Sequence, residues 1–416
     1  MVRRAGQIPP RNPRPAPGVV VARLRRWMPG PVGEVLRRLQ GCGGRPAVVG
    51  GAVRDAALGM RPRDWDVAVD LDLTAFRGVF PRVLDLGARF GTWTVLTPAG
   101  PVEVSRFRGV AGDLGDDLAH RDFTLNAMAV DVAAGVLVDP FGGLDDLAGR
   151  RLRAVGEASA RLAEDPVRAL RALRFVAGLG LRCDPALRGA LAGATAALEG
   201  AAAERKRDEL ERLLSGRWLA PGLRLLEATG LRAVLLPELG PLRPRAMARA
   251  RAVNGAFPWL RLAVLAWAQA VPPEALPALR QRLRLAKACG SELAGVVRAL
   301  HALSPTPPTG ASLRRWLHAA HPFETSAALA AEAAGGAAYV GFRRRVRRAL
   351  GGCLQPAQLA IGGRELHRLG IAGPQVGIVL QRLLAAVLDV PQRNNRATLL
   401  RLVHTLSTGN PEGVRP

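Results

Sequence analysis

Apolar and polar positions follow two different periods along the chain, and the change falls near residue 157. Between residues 46 and 140 the runs "PAVVGG", "WDVAVDL", "TWTVLTP", "PVEVSRF" and "GVLVDPF" are short, rich in β-branched and aromatic residues, and bounded by Gly, Pro and Asp. That pattern predicts strands. One early segment, "AVRDAALG", has the length of a helix. Beyond residue 157, "ARLAEDPVRALRALRFVAGLGL" and "ERKRDELERLLSG" space their apolar residues three and four apart. This is the period of amphipathic helices, and no strand is expected after that point. Pro and Gly clusters near 237–243, 271–277, 304–310 and 350–356 divide this half into helical blocks. The expected fold is an α/β or α+β head built on one sheet, followed by an elongated all-α remainder.

A length of 416 residues suggests two to four structural units. The 59 basic residues, nearly all Arg, outnumber 34 acidic ones and leave a formal charge of +25. A surface this positive attracts polyanions, nucleic acid ahead of a membrane surface. With aromatic residues at only 4%, base stacking cannot be the main recognition device. No apolar run reaches the roughly 18 residues of a spanning helix, so no membrane association is expected. Residues 1–30 hold seven Arg, no acid until Glu34 and several Pro, which predicts a disordered basic arm. "GVVVA" is short and is followed by Arg23, Arg25 and Arg26, a poor secretory signal. Cys42, Cys183, Cys289 and Cys353 show no paired spacing, which argues against a zinc ribbon or disulfide framework and fits the reducing cytoplasm.

The densest chemistry lies in "VVGGAVRDAALGMRPRDWDVAVD", residues 48–70. A strand runs into Gly50-Gly51, a short helix follows, and Asp64-Trp65-Asp66 opens a second strand. Alternation along that strand puts Asp64 and Asp66 on one face and Trp65, Val67 and Val69 on the other. Two such carboxylates suit divalent cations in phosphoryl transfer, because Mg²⁺ takes few protein ligands and keeps water and substrate phosphates. Glycines without Cβ atoms let backbone approach a triphosphate. A lone D-x-D is ordinarily a solvated strand start and a lone Gly-Gly a turn; the combination is more specific. Glu103, in "VEVSRF", is a candidate third carboxylate or an exposed edge position. "EDPVRALRALRF" predicts a helix from residue 164, with Glu164 and Asp165 in its first turn and Asp165 and Arg168 on one face. An ionised Asp only accepts and an Arg only donates, so this pair would take cytosine or adenine and reject guanine and uracil. Its plain alternative is a surface ion pair. Arg171 and Arg174 extend a basic ridge for phosphate or solvent, and Lys206 and Arg207 are candidate phosphate contacts or a solvated cluster.

Taken in order, "GGAVRDAALG" with "DWD", "DLAHRDFTLNAMA", "DPFGGLDDL", "EDPVRALRALRF", "ERKRDELERLL" and "LAIGGRELHRLGIAGPQVG" resemble the class II tRNA nucleotidyltransferases and the related bacterial poly(A) polymerases. The resemblance implies a polymerase-β-like head with a small mixed sheet (31–155), a helical neck (156–218), a body (219–350) and a tail (351–416), with tRNA along the basic surface. It implies that Asp64 and Asp66 are the metal ligands, for two Mg²⁺ ions, while Glu103 stays a candidate catalytic carboxylate on its strand position. The resemblance also implies that Asp165 and Arg168 select CTP and ATP, and that Arg121, Asp122 and Asn126 bind the nucleotide and shape its pocket; Gly50, Gly51, Arg54, Arg171 and Arg174 are further candidates for nucleotide binding. The family usually has two Arg before the Asp at position 122; here His120 replaces the first.

Within "RFRGVAGDLGDDLAHRD", residues 106–122, Asp113, Asp116, Asp117 and Asp122 form an acidic cluster in a basic chain. Asp113 and Asp116 fit a Gly-bearing turn, and Asp116 and Asp117 fit the start of a helix carrying "RDFTLNA". Only "GVAGDLG" separates "RFR" from "DDLAHRD". By the resemblance, full CCA-adding enzymes carry a longer flexible loop here and CC-adding members lack it. The expected activity is CC addition from CTP to tRNA, with a separate enzyme supplying the terminal A. Full CCA addition, poly(A) synthesis and a non-catalytic RNA-binding protein are the alternatives. Arg-rich runs downstream, "RPRAMARAR", "FRRRVRRAL" and "QRNNRATLLR", are expected to contact phosphates without reading sequence, about half of them being only solvated faces.

Overall fold

The computed structural model describes residues 13–71, 79–80, 83–87, 92–110, 112–131 and 133–407. Its contacts divide the chain into two units, Met1–Leu235 and Leu236–Pro416. The first unit is organised by a sheet of Ala47–Val49 (β1), Trp65–Val69 (β2), Val83–Gly87 (β3), Thr92–Thr97 (β4), Gly100–Arg106 (β5), Ala129–Asp131 (β6) and Val136–Val138 (β7). The order is β3-β4-β5-β2-β1-β6-β7. The sheet is mixed: β2 runs parallel to β5, whereas β1 is antiparallel to both β2 and β6. Alternation along β2 sends Trp65, Val67 and Val69 to one face and Asp66 with Ala68 to the other. Ala47, Val49 and Ala68 pack there with Leu118, Ala127 and Val155 in a buried cluster.

Part of the expected disordered arm is helical. Pro17–Trp27 (α1) starts with Pro at its first turn, where a missing N–H costs nothing. It buries Val20, Val21 and Leu24, a one-turn apolar stripe, against the short helix Gly51–Ala57 and β7. Gly30–Gly41 (α2) follows, and residues 1–12 lie outside the described residues. The short helix Gly51–Ala57 (α3) is the one foreseen in "AVRDAALG". After it come Leu114–Ala119 (α4), Gly143–Gly149 (α5), Ala158–Glu164 (α6) and Val167–Leu179 (α7). Contrary to expectation, strand pairing continues past residue 157: Arg182–Cys183 (β9) pairs in parallel with Arg151–Leu152 (β8). Two residues are too few to show a period.

Pro185–Gly193 (α8), Thr195–Glu199 (α9), Ala203–Leu214 (α10) and Leu219–Ala228 (α11) complete most of this unit. α10 and α11 both pack on α7. Phe123 and Phe175, the latter on α7, meet edge to face at 5.7 Å and 83°, which ties α7 to the sheet-bearing part of the unit.

The second unit is helical throughout its described residues, from Pro244–Ala252 to Arg396–Ser407. Its centre holds Phe342 between Trp316 and Tyr339, each ring 5.2 Å away and edge-on. The polar tips are satisfied, Trp316 donating to the Ala299 carbonyl at 2.8 Å and Tyr339 to the Ser304 carbonyl at 2.6 Å. No described helix is long and apolar enough to cross a membrane.

Candidate active site

A cleft of about 950 Å³ opens in the first unit. Its walls contain Gly50, Gly51, Arg54, Asp64, Asp66, Glu103, Arg121, Asp122, Asn126, Asp165, Arg168, Arg171 and Arg174, so the residues singled out from the sequence as site candidates meet here, except Lys206 and Arg207. Three further arginines, Arg108, Arg205 and Arg212, also line it. Nothing local marks those three in a chain so rich in Arg.

Gly50 ends β1 with φ 68°, a left-handed conformation that favours glycine. A Cβ there would lie 2.9 Å from Arg121 Nη1 and 3.5 Å from Asp66 Oδ2. The bare backbone is therefore what lets an acid and an arginine face each other across the turn. The turn is tied by Gly50 N–H donating to the Met128 carbonyl at 3.1 Å and by Arg54 N–H donating to the Gly50 carbonyl at 3.1 Å.

At this end the charges are not compensated. Asp66 stands opposite Glu103 in the parallel β2/β5 register, and Asp64 lies exposed one residue before β2. None of the three makes a hydrogen bond or ion pair among the described residues. Burial pushes the Asp66 carboxyl up to about 6, and the negative charges of Glu103 and Asp64 add to it against partial relief from Arg121 and Arg54. No three His, Cys, Asp or Glu side chains among the described residues converge closely enough to hold a metal ion alone. Hard oxygen donors with unneutralised charge nonetheless fit a divalent cation that takes its other ligands from water and phosphate.

The middle of the cleft is a lattice of held arginines. Asp117, fully buried, accepts from Arg121 Nε at 3.1 Å and Nη2 at 2.9 Å, and from Arg108 N–H at 3.3 Å. Its role is therefore to aim Arg121, which the sequence reading as a helix-start acid did not show. The helix it starts, α4, is capped by Asp113, which accepts from Asp116 N–H at 2.8 Å. α4 also stops at Ala119, so "RDFTLNA" is not helical as expected but a turn leading into one 3-10 turn, Thr124–Asn126.

Asp122 accepts from Arg171 Nη1 at 3.0 Å and from Asn126 Nδ2 at 3.0 Å, and Asn126 Oδ1 accepts from Arg54 Nη1 at 2.8 Å. Burial works to raise the Asp122 carboxyl, but Arg171, Asn126 and the Phe123 N–H together hold it below its ordinary value. Behind them Glu209, on α10 and only 5% exposed, pairs with Arg174 at 2.7 Å and Arg171 at 3.5 Å. The Arg174 Nε contact is ionic without a formed hydrogen bond. Arg174 also lies 4.3 Å from the Phe175 ring centre, with Arg54 at 5.4 Å.

The far end corrects three expectations. Glu164 closes α6, Asp165 is extended at φ −150° and ψ 99°, and α7 begins only at Val167. Pro166 is the cause, since a residue before proline is pushed out of the helical region. Asp165 and Arg168 do not pair with each other. Arg205 forks onto Asp165 at 3.0 and 2.7 Å, and Arg168 Nη1 donates to Glu164 at 2.6 Å and to the Arg161 carbonyl at 2.9 Å. Lys206 is buried and donates to the Glu199 carbonyl at 2.9 Å, closing the end of α9, while Arg207 pairs with Asp208 at 2.9 Å. Lys206 is thus a structural cap and not a phosphate contact.

Residues 47–153 match the family described as Poly A polymerase head domain, and residues 180–242 match Probable RNA and SrmB- binding site of polymerase A. The chain is 36% identical over 251 residues to the CCA-adding enzyme of Geobacillus thermodenitrificans, covering 56% of this chain and 60% of that protein. It is 38% identical over 198 residues to the CC-adding tRNA nucleotidyltransferase of Halalkalibacterium halodurans, covering 48% of this chain and 52% of that protein. These matches span between about half and three fifths of the curated relatives' length. The crystal structure of the Bacillus stearothermophilus CCA-adding enzyme in complex with CTP superposes with a TM-score of 0.77 at 30% identity, covering 92% of this chain and all of that one.

Proposed function

We propose that this chain, which belongs to the class II tRNA nucleotidyltransferase family, transfers CMP from CTP to the 3′ end of tRNA, adding CC and releasing pyrophosphate without a nucleic-acid template. The observation that carries this is the cleft itself, which uncompensated Asp64 and Asp66 line together with a set of held arginines and with Asp165 and Arg168. In the relative crystallised with CTP the same fold holds the nucleotide named in that complex.

Asp64 and Asp66 would hold the divalent cations, proposed to be two magnesium ions, with Glu103 beside them. Bound there, such ions supply neutralisation of the attacking and leaving oxygens. The chain's own residues do the rest. Arg54 and Arg121, fixed by Asn126 and Asp117, present donors to the triphosphate. Arg171 and Arg174, fixed by Asp122 and Glu209, take up charge on the pyrophosphate as the bond to the α-phosphorus breaks and the 3′-hydroxyl oxygen bonds to it. Asp165 accepts from the exocyclic amine of cytosine and Arg168 donates to its ring nitrogen and carbonyl. Arg168 keeps its Nε and Nη2 donors without a partner among the described residues for that purpose.

The short connection between Phe107 and Leu114 supports CC addition over full CCA addition, leaving the terminal A to a second enzyme. We take 31–155 as head, 156–218 as neck, 219–350 as body and 351–416 as tail, the last two binding tRNA. Arg344, Arg347 and Arg348, exposed on one helix of the second unit without a partner among the described residues, support contact with phosphates there. The test supplies CTP, ATP or both to tRNAs ending before CCA, after C and after CC, with product length read on a gel. The proposal expects extension that stops at CC whenever CTP is present and no extension with ATP alone. Efficient A addition to the CC-ending tRNA would instead favour the full CCA-adding activity.

A further inference from the structure

We infer that Arg205 is a specificity-determining positioning residue, holding the Asp165 carboxylate so that a single acceptor site remains for the incoming base. The inference rests on the reading of Asp165 as the base-selecting acid. A carboxylate has about four lone-pair positions, two on each oxygen. Asp165 Oδ1 accepts from Arg205 Nη1 at 3.0 Å and from Val167 N–H at 3.2 Å, and Oδ2 accepts from Arg205 Nη2 at 2.7 Å. Three positions are filled, and the one left is on Oδ2.

Both oxygens are held at once, so the plane of the carboxylate cannot turn. The extended backbone imposed by Pro166 brings Val167 N–H into the set, and α10, anchored through buried Glu209 to Arg171 and Arg174 on α7, delivers Arg205. Burial alone would raise the Asp165 carboxyl, but the Arg205 hydrogen bonds and charge, with Val167 N–H, hold it below its ordinary value. It remains a pure acceptor at neutral pH.

One fixed acceptor matches one exocyclic amine. Uracil and guanine turn a carbonyl oxygen toward that position, where two lone pairs would meet. A carboxylate freed from its fork has room to carry a water molecule whose O–H can satisfy such a carbonyl, and the discrimination is then lost. The Arg205 side chain is half-exposed, so its removal is expected to leave the unit folded.

The experiment compares wild type, R205A and R205K. Steady-state CMP and UMP incorporation into tRNA lacking CCA is measured alongside equilibrium dialysis of CTP and UTP in the presence of magnesium and the same tRNA carrying a 3′-deoxy end, which cannot be extended. The dialysis requires no turnover, so it reports on Arg205 even if transfer itself were absent. For R205A we expect KM and Kd for CTP to rise about tenfold, kcat to change less than about twofold, and the preference for CTP over UTP to fall about tenfold. Lysine supplies charge without a fork, so R205K restores affinity in part and leaves the preference reduced. An R205A protein that keeps the wild-type preference, one that loses CTP and UTP binding equally, or an R205K protein indistinguishable from wild type would overturn the inference.

Discussion

The two ends of the cleft treat their carboxylates in opposite ways. Asp66 sits in a half-buried position opposite Glu103 and near Asp64 with no hydrogen bond or ion pair among the described residues, and its carboxyl is pushed up to about 6. Asp122 and Asp165 are also removed from water, yet both are held below the ordinary carboxylate value by arginine partners. Burial acts in the same direction at all three; the partners decide the outcome. An acid left unpaired is an acid waiting for a charge from outside the chain, whereas an acid already paired can fix geometry.

The largest effect expected from this contrast is at the unpaired end. D66A should lower the rate of CMP transfer on the order of 10⁴-fold with little change in tRNA affinity, as seen by single-turnover extension beside a filter-binding assay. A drop of less than tenfold would remove Asp66 from the chemistry. Next comes the paired side: E209A leaves Arg171 and Arg174 with a lost buried partner and should cost about 3 kcal/mol in urea unfolding. If the cost were instead near zero, the arginine lattice would not depend on its buried acid.

D122N should cost about 2 kcal/mol at neutral pH. The sign with pH follows from its lowered folded value: ionised Asp122 contributes stability that is full above 3.8, its ordinary value, and is lost as the pH falls through the folded one. The wild-type and D122N unfolding curves should therefore converge on acidification below that point. The smallest effect has the opposite sign. D66N removes a repelled charge and should stabilise the cation-free protein by about 1 kcal/mol, raising its melting temperature in chelator, an advantage that added magnesium should cancel or reverse. Destabilisation in chelator would contradict the view of Asp66 as an uncompensated charge.

What the sequence disclosed was whatever depends on near neighbours. Gly50-Gly51, the strand alternation around Asp66 and the change of period near residue 157 can be seen in a window of a few residues, and the sheet and the helical half follow from them. What it concealed was partnership at long range. Arg205 reaches Asp165 across 40 positions and Arg171 reaches Asp122 across 49, so neither pair can be read from spacing. Asp165 and Arg168 at i, i+3 invited a direct pair, and the proline between them abolished the helical geometry that pairing needs. Asp117 looked like one more acid at a helix start because nothing in its own segment shows that Arg121 folds back onto it or that the side chain is fully buried. The α1 stripe of Val20, Val21 and Leu24 was obscured by the Arg and Pro around it.

The most direct test of the contrast between the two ends is a magnesium titration of CMP incorporation into tRNA lacking its CCA end, run for wild type, D66A and R168A. Wild type should extend by two nucleotides only when magnesium is present, D66A should stay on the order of 10⁴-fold slower at every magnesium concentration, and R168A should extend slowly with a reduced preference for CTP over UTP. Extension by D66A at wild-type rates, or an R168A protein whose base preference is unchanged, would contradict the assignment of catalysis to the unpaired end and selection to the paired one.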